Sequence, residues 1–190
     1  MESFAHGFFE RGAEEVAREL LGARIVSTIG GERTAGVVIE TEAYLGPHDP
    51  ACHAAERIGR TSRNEAMFGS PGTAYVYLIY GVHWCLNVVT GPVGYPAAVL
   101  IRALEPAEGQ GVMEVRRGGA GKDLCSGPGR LCQALGVTGA LDKHDLADPP
   151  LVLLPPPPGP SGEVQLTGRI GVRQAADWPL RFCLLRDGRA

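Results

Sequence analysis

The 190-residue sequence predicts an α+β fold: a single mixed domain over residues 1–190, with a curved, mostly antiparallel β-sheet, a protruding β-hairpin and peripheral helices. Segments rich in β-branched and aromatic residues follow one another across glycine-marked turns, as antiparallel neighbours require. Helix-spaced apolar residues are confined to short flanking stretches. A composition of 44% hydrophobic and 21% charged residues suits a chain with one buried core.

Between Ala13 and Leu21, the apolar residues Val16, Ala17, Leu20 and Leu21 recur at helical spacing among acids, and Gly22 stands where the helix should end. Arg24 to Ile29, the turn Gly30-Gly31 and Thr34 to Tyr44 read as a first hairpin. Thr73 to Tyr80 and His83 to Thr90 form a better-marked second one, with Gly81 suited to a two-residue loop that needs positive φ. Ala97 to Ala103 is a short apolar strand. Ser126 followed by Pro128 opens a helix to Leu135, with Gly136 as its stop. Pro155 to Pro158 with Gly159 and Pro160 is a stiff surface loop, and the residues after it are too few for a second core, so they should return to the first. Phe182 to Leu185 is the last strand.

Several function classes are excluded or weakened. Met1 to Gly12 has no long apolar run, and no stretch is long enough to span a bilayer, which predicts a cytoplasmic protein with no membrane partner. Five cysteines without a CxxC pair argue for reduced, mostly buried thiols, and a zinc site from Cys52, His53 and a distant cysteine lacks the paired spacings of zinc modules. No metal and no cofactor is expected. A net charge of −3 speaks against non-specific coating of nucleic acid. The local clusters Arg57, Arg60, Arg63 and Arg116, Arg117, Lys122 read, by themselves, as solvated loop charge.

If Val37 to Tyr44 is a regular strand, Glu40, Glu42 and Tyr44 share one face, opposite Val37, Ile39, Thr41 and Ala43. Such a row alone is what a solvent-facing strand shows. Arg102, however, lies within the apolar run Ala97 to Leu104, and a buried guanidinium needs an anionic partner, for which Glu40 and Glu42 are the candidates. A carboxylate paired in this way would be held ionised, ready to act as a base on water; the residues fit equally well a buried staple with no catalytic role. Tyr44, His53, Tyr75, Tyr77, Tyr80, His83 and Trp84 are concentrated nearby, and their rings suit either a planar ligand or cross-strand packing.

These residues closely resemble the alkyladenine (3-methyladenine) DNA glycosylases of the mammalian type, which also occur in bacteria. The likeness runs through Leu20-Leu21-Gly22, Ile39 to Pro47, Arg63-Asn64 with Met67-Phe68, Pro71 to Gly81, Asn87, Arg102 to Pro106, Leu124 to Pro128, Leu131 to Leu135 and Arg169 to Val172. The resemblance implies a monomeric, monofunctional base-excision enzyme that flips damaged purines of the 3-methyladenine, 7-methylguanine, hypoxanthine and ethenoadenine class out of double-stranded DNA. It would hydrolyse the N-glycosidic bond, and in a bacterium it would work at the nucleoid. It also implies that Glu42 is the general base, that Arg102 and the main-chain carbonyl of Ile170 help hold the attacking water, and that Tyr44, His53 and Tyr77 enclose the base. Asn87 would obstruct the guanine amino group, Tyr80 would wedge into the minor groove, and Val82 would touch DNA beside it. No lysine lies in the matched pocket blocks, so no Schiff base and no strand cleavage are expected.

Val82-His83 stands where larger residues such as methionine and an aromatic are familiar, and His48 where an acid is. With no long N-terminal extension, a bare catalytic domain is expected. Two competing readings are a non-catalytic nucleic-acid binder that stacks bases on Tyr77 and Tyr80, and a nucleoside or glycoside hydrolase using Glu40 and Glu42 as its carboxylate pair.

Overall fold

The computed structural model describes residues 3–119, 121–158 and 162–185. Its α-helices are α1 (Ala13–Glu19), α2 (Gln110–Arg116) and α3 (Pro128–Leu135). Its strands are β1 (Arg24–Ser27), β2 (Thr34–Tyr44), β3 (Ala74–Ile79), β4 (His83–Thr90), β5 (Ala97–Glu108), β6 (Leu151–Leu154), β7 (Glu163–Thr167) and β8 (Arg181–Leu185). The main sheet is antiparallel in the order β3-β4-β5-β2-β1-β6, and the β7–β8 hairpin attaches to it through β2. The α+β architecture expected from the sequence is therefore present, as a curled half-barrel with helices at its periphery.

The two faces of the sheet divide by residue parity, because successive side chains of a strand point to opposite sides. Val76, Leu86, Val88, Val99, Ile101 and Ala43 enter the main core, where α1 contributes Val16, Ala17 and Leu20, and α3 contributes Leu131 and Leu135. The alternate residues Tyr75, Val89 and Ala98 join Cys52, Ala54, Ala66 and Met67 in a smaller cluster, with Tyr44 and Tyr77 packed against it. Burial of each large aliphatic side chain in the main core contributes on the order of 1.5–3 kcal/mol. Cys52, Cys85, Cys125 and Cys132 are buried, Cys183 is half-buried, and all are free thiols.

Several elements differ from the sequence expectation. The strand expected to end at Ala103 runs on to Glu108. Pro106 is accommodated near an irregularity where β5 meets the start of β2, a position at which a missing N–H is tolerated. The β3–β4 loop holds three residues, Tyr80 to Val82, rather than two, because Ile79 pairs with His83 and the Val82 N–H donates to the Ile79 carbonyl. Gly127 caps α3 in place of Ser126, which instead bridges to Ala103. The elements α2, β6 and β7 were not expected: Met113 is the only buried residue of α2, so its apolar periodicity is faint, and β6 and β7 are short.

The largest correction concerns β2. Register shifts between Val38 and Glu40 and between Glu40 and Thr41 break its alternation, so that Val38 enters the core together with Ala43, and Ile39 does not. A bulge of this kind inserts an unpaired residue and re-aims the side chains beyond it. The segment after the proline run returns to the sheet: β8 pairs with Glu40 to Glu42, on the edge of β2 that β1 leaves free. Gly159 and Pro160 of the predicted loop lie outside the described residues. Among the described residues no helix is long and apolar enough to cross a membrane.

Ile101 is fully buried between two residues that face the opposite side of the sheet. Ile101→Ala should lower unfolding stability by about 2–5 kcal/mol, read as a lower urea midpoint at unchanged slope. A midpoint within error of the wild type would show that this face of β5 is not core.

Candidate active site

Parity on four adjacent strands assembles the site. β2 supplies Glu40, Glu42 and Tyr44; β5 supplies Leu100 and Arg102; β4 supplies Cys85 and Asn87; and β3 supplies Tyr75 and Tyr77. In register, Glu42 is paired with Leu100, Leu100 with Asn87, and Asn87 with Tyr75. A single transverse row of the sheet thus carries a carboxylate, an aliphatic floor, an amide and a phenol.

Glu42 is fully buried. Its Oε1 accepts a hydrogen bond from the Ile170 backbone N–H at 2.8 Å, and its Oε2 accepts one from the Tyr44 hydroxyl at 2.8 Å. Arg102 Nη1 lies 3.3 Å from Oε1, while Arg102 Nε donates to Glu40 Oε1 at 2.7 Å. Arg181 Nε donates to that same Glu40 oxygen at 2.6 Å, so Glu40 lies between two guanidinium groups. Both pairings considered for Arg102 are therefore present, one strong and one loose.

Removal from water pushes the Glu42 carboxyl above the usual glutamate range, against the opposing pull of Arg102, the Ile170 N–H and the Tyr44 hydroxyl. The Arg102 guanidinium favours the ionised form, but burial outweighs its pull and the net displacement is upward. Burial also raises Tyr44, with the neighbouring Glu42 adding to the effect, so the hydroxyl stays a proton donor to the carboxylate.

Beside this group opens a cleft of about 970 Å³ whose lining includes Tyr44, His53, Tyr77, Asn87, Arg102 and Ile170. Glu42 itself lies beneath that lining. His53 Nδ1 is 2.8 Å from the Tyr75 hydroxyl, and the His53 ring meets Tyr77 edge-on with centroids 4.6 Å apart. Burial and then the nearby Arg63 lower the His53 pKa, favouring neutral imidazole. Asn87 is buried and its amide donates to the Tyr75 carbonyl at 3.0 Å, which fixes it in the wall. Cys85 is pushed up by burial, so it is an unreactive thiol.

Tyr80 is 84% exposed at the hairpin tip, with its backbone at φ 54° beside Gly81 at φ 72°. Left-handed backbone costs a non-glycine residue about 1–2 kcal/mol. Tyr80 also borders the cleft; Val82 is exposed on the same tip but is not part of the lining.

The arginine clusters are more engaged than solvated loop charge would be. Arg63 donates to the Leu78 carbonyl and lies over the Tyr77 ring, Arg60 pairs with Glu65, and Arg57 donates to the Pro50 carbonyl. Arg116 donates to the Ala134 and Ile29 carbonyls, and Arg117 to Gln133. The Lys122 side chain lies outside those described. His48 is exposed and sits 3.1 Å from Glu56.

Sequence reasoning assigned no role to Asp49, Arg169 or Arg181. Asp49 and Arg169 form an ion pair whose side chains are both 0% exposed. Arg169 belongs to a segment quoted for its resemblance, and Asp49 to the loop after Pro47; periodicity could not pair two residues so far apart in irregular chain. The loop that carries Arg169 and Ile170 folds back closely, for a Cβ at Gly168 would lie 2.2 Å from the Ala176 carbonyl.

Residues 7–187 match the family model described as Methylpurine-DNA glycosylase (MPG). A Myxococcus xanthus protein named "Putative 3-methyladenine DNA glycosylase" is 51% identical over 178 residues, 94% of this chain and 86% of that protein. A protein of the same name from Methanoculleus marisnigri is 49% identical over 182 residues, covering 93% and 92% of the two chains, and one from Agrobacterium fabrum is 47% identical over 178 residues, covering 93% and 86%. With the fold, the buried carboxylate and the aromatic cleft already in place, these matches settle the family: the chain belongs to the methylpurine-DNA glycosylases.

Proposed function

We propose that this DNA glycosylase of base excision repair draws a damaged purine, of the 3-methyladenine, 7-methylguanine, hypoxanthine and ethenoadenine class, out of duplex DNA into the cleft walled by Tyr44, His53, Tyr77 and Asn87. It then hydrolyses the N-glycosidic bond with water activated by Glu42. The observation that carries the reading is the placement of Glu42: a fully buried carboxyl directly behind the wall of an aromatic cleft, in contact with a guanidinium and two neutral donors.

Cleavage of the bond from base to sugar builds positive charge on the deoxyribose, so a nearby carboxylate both accepts a proton from water and stabilises that charge. The 3.3 Å contact from Arg102 to Glu42 is the loosest of the three that hold the carboxylate. A water entering there would be gripped by Arg102 and Glu42 together, with the Ile170 carbonyl as a further acceptor. Among the described residues no lysine lines the cleft, which favours release of the base with the strand left intact. Asn87, pinned by the Tyr75 carbonyl, would meet the exocyclic amino group of a normal guanine and discriminate against it by collision. Tyr80 would fill the gap left in the stack, and Val82 would rest on the DNA beside it. The chain works as a single catalytic domain and a monomer, with no metal or cofactor.

Glu42→Gln should abolish release of hypoxanthine from a lesion duplex while binding of that duplex is retained. Turnover in this variant would remove Glu42 from the mechanism. Because the folded-state pKa of Glu42 lies above its unfolded value, ionisation of the buried group detracts from stability as pH rises from the unfolded value through the folded one. The variant should therefore melt no lower than the wild type at neutral pH, and any gain should fade on acidification.

The exposed tip makes a second prediction. Flipping costs a few kcal/mol of stacking and pairing, which an inserted ring offsets. Tyr80→Ser should weaken excision from fully paired lesions far more than from mispaired ones, at unchanged melting temperature. Equal losses on both substrates with a large drop in melting temperature would make Tyr80 a packing residue instead.

A further inference from the structure

The Asp49–Arg169 pair lies outside the cleft lining, yet both side chains are completely buried. Arg169 Nη2 donates to Asp49 Oδ1 at 2.8 Å, and Nη1 is shared between Asp49 Oδ2 and the Ala43 carbonyl, the latter at 2.9 Å. Asp49 in turn accepts the backbone N–H of Leu45 at 3.1 Å and of Ala51 at 3.0 Å. Arg169 Nε finds no partner among the described residues. An ion pair taken wholly out of water is seldom more stable than apolar residues filling the same space, so the pair calls for an explanation other than stability.

Its connections supply one. Ile170, the next residue after Arg169, donates its N–H to Glu42 Oε1. Tyr44, the next residue after Ala43, donates its hydroxyl to Glu42 Oε2, and its ring lies 4.9 Å below the Arg169 guanidinium. One guanidinium therefore fixes the backbone on both sides from which Glu42 receives neutral hydrogen bonds. Through Asp49 it also ties down the start of the loop that bears His53, where the Cys52 N–H donates to the Asp49 carbonyl.

We infer that Arg169 and Asp49 are positioning residues for the excision step: they hold the Ile170 N–H and the Tyr44 hydroxyl on the two oxygens of Glu42, and they register the His53 wall of the cleft against that carboxylate. Neither touches the reacting atoms. The inference rests on Glu42 being the base, and it assigns the pair to the rate of bond cleavage more than to DNA affinity or folding. A displacement of about 1 Å in a reacting group can reduce a rate on the order of 100-fold.

Single-turnover excision of hypoxanthine, affinity for a duplex bearing an abasic-site analogue and melting temperature should be measured together on the wild type, Glu42→Gln, Arg169→Lys and the apolar pair Asp49→Leu with Arg169→Met. The apolar pair keeps the interior filled and serves if Arg169→Lys does not fold. In whichever of the two variants folds, excision should drop by about 10- to 100-fold with duplex affinity within about twofold of the wild type. A folded variant that excises within about threefold of the wild type would overturn the assignment. So would losses of rate and affinity that track the unfolded fraction, or failure of both variants to fold, since either result makes the pair a stability element. Full activity in Glu42→Gln would instead refute the base itself, whatever the Arg169 variants do.

Discussion

A carboxyl group removed from water must find hydrogen-bond donors or protonate, and the arrangement around Glu42 answers that constraint. Its two oxygens receive a main-chain N–H, a phenol and a guanidinium, each delivered by a different part of the chain: the loop before β8, the end of β2 itself, and β5. Two of these donors, the guanidinium and the main-chain N–H, are in place only because β2 is a central strand. Its pairing with β5 brings Arg102 across, and its pairing with β8 brings back the segment that contains Ile170. The compromise remains incomplete, because burial still raises the Glu42 pKa despite three favourable contacts. A base that is slightly hard to ionise is also one with an appreciable appetite for a proton.

The bulge at Ile39 and Glu40 is the local device that makes this geometry compatible with a packed core. It lets Val38 and Ala43 both face the interior although they are an odd number of residues apart, and it marks the point where the neighbour of β2 changes from β1 to β8. Glu40 sits at that junction, bound to Arg102 on one side and Arg181 on the other. The same sheet thus has a face of aliphatic side chains under α1 and α3 and a face of aromatic and polar ones at the cleft, with β2, β3, β4 and β5 contributing to both.

Much of this was legible in the sequence because alternation is a local property. The row Glu40, Glu42, Tyr44 and its partner Arg102 follow from period-two spacing and from the cost of an unpaired buried guanidinium. The left-handed backbone at Gly81 follows from the need for a residue tolerant of positive φ, although the loop proved one residue longer and Tyr80 shares that conformation. What could not be read was irregular or non-local. The bulge leaves no compositional trace, α2 buries little, and the Asp49–Arg169 pair joins two loops that no periodic pattern relates. Even the sign of the Glu42 displacement depended on how deeply it is buried, which an isolated Glu-x-Glu does not reveal.

The most direct test of the account is the pH dependence of single-turnover 7-methylguanine excision by the wild-type protein. That base is already cationic and leaves without further protonation, so an acidic limb reports ionisation of the enzyme's own base. The account predicts that activity is lost on acidification around a midpoint above the ordinary glutamate range, as the buried Glu42 takes up a proton. Activity that persists down to or below the ordinary glutamate pKa would contradict it.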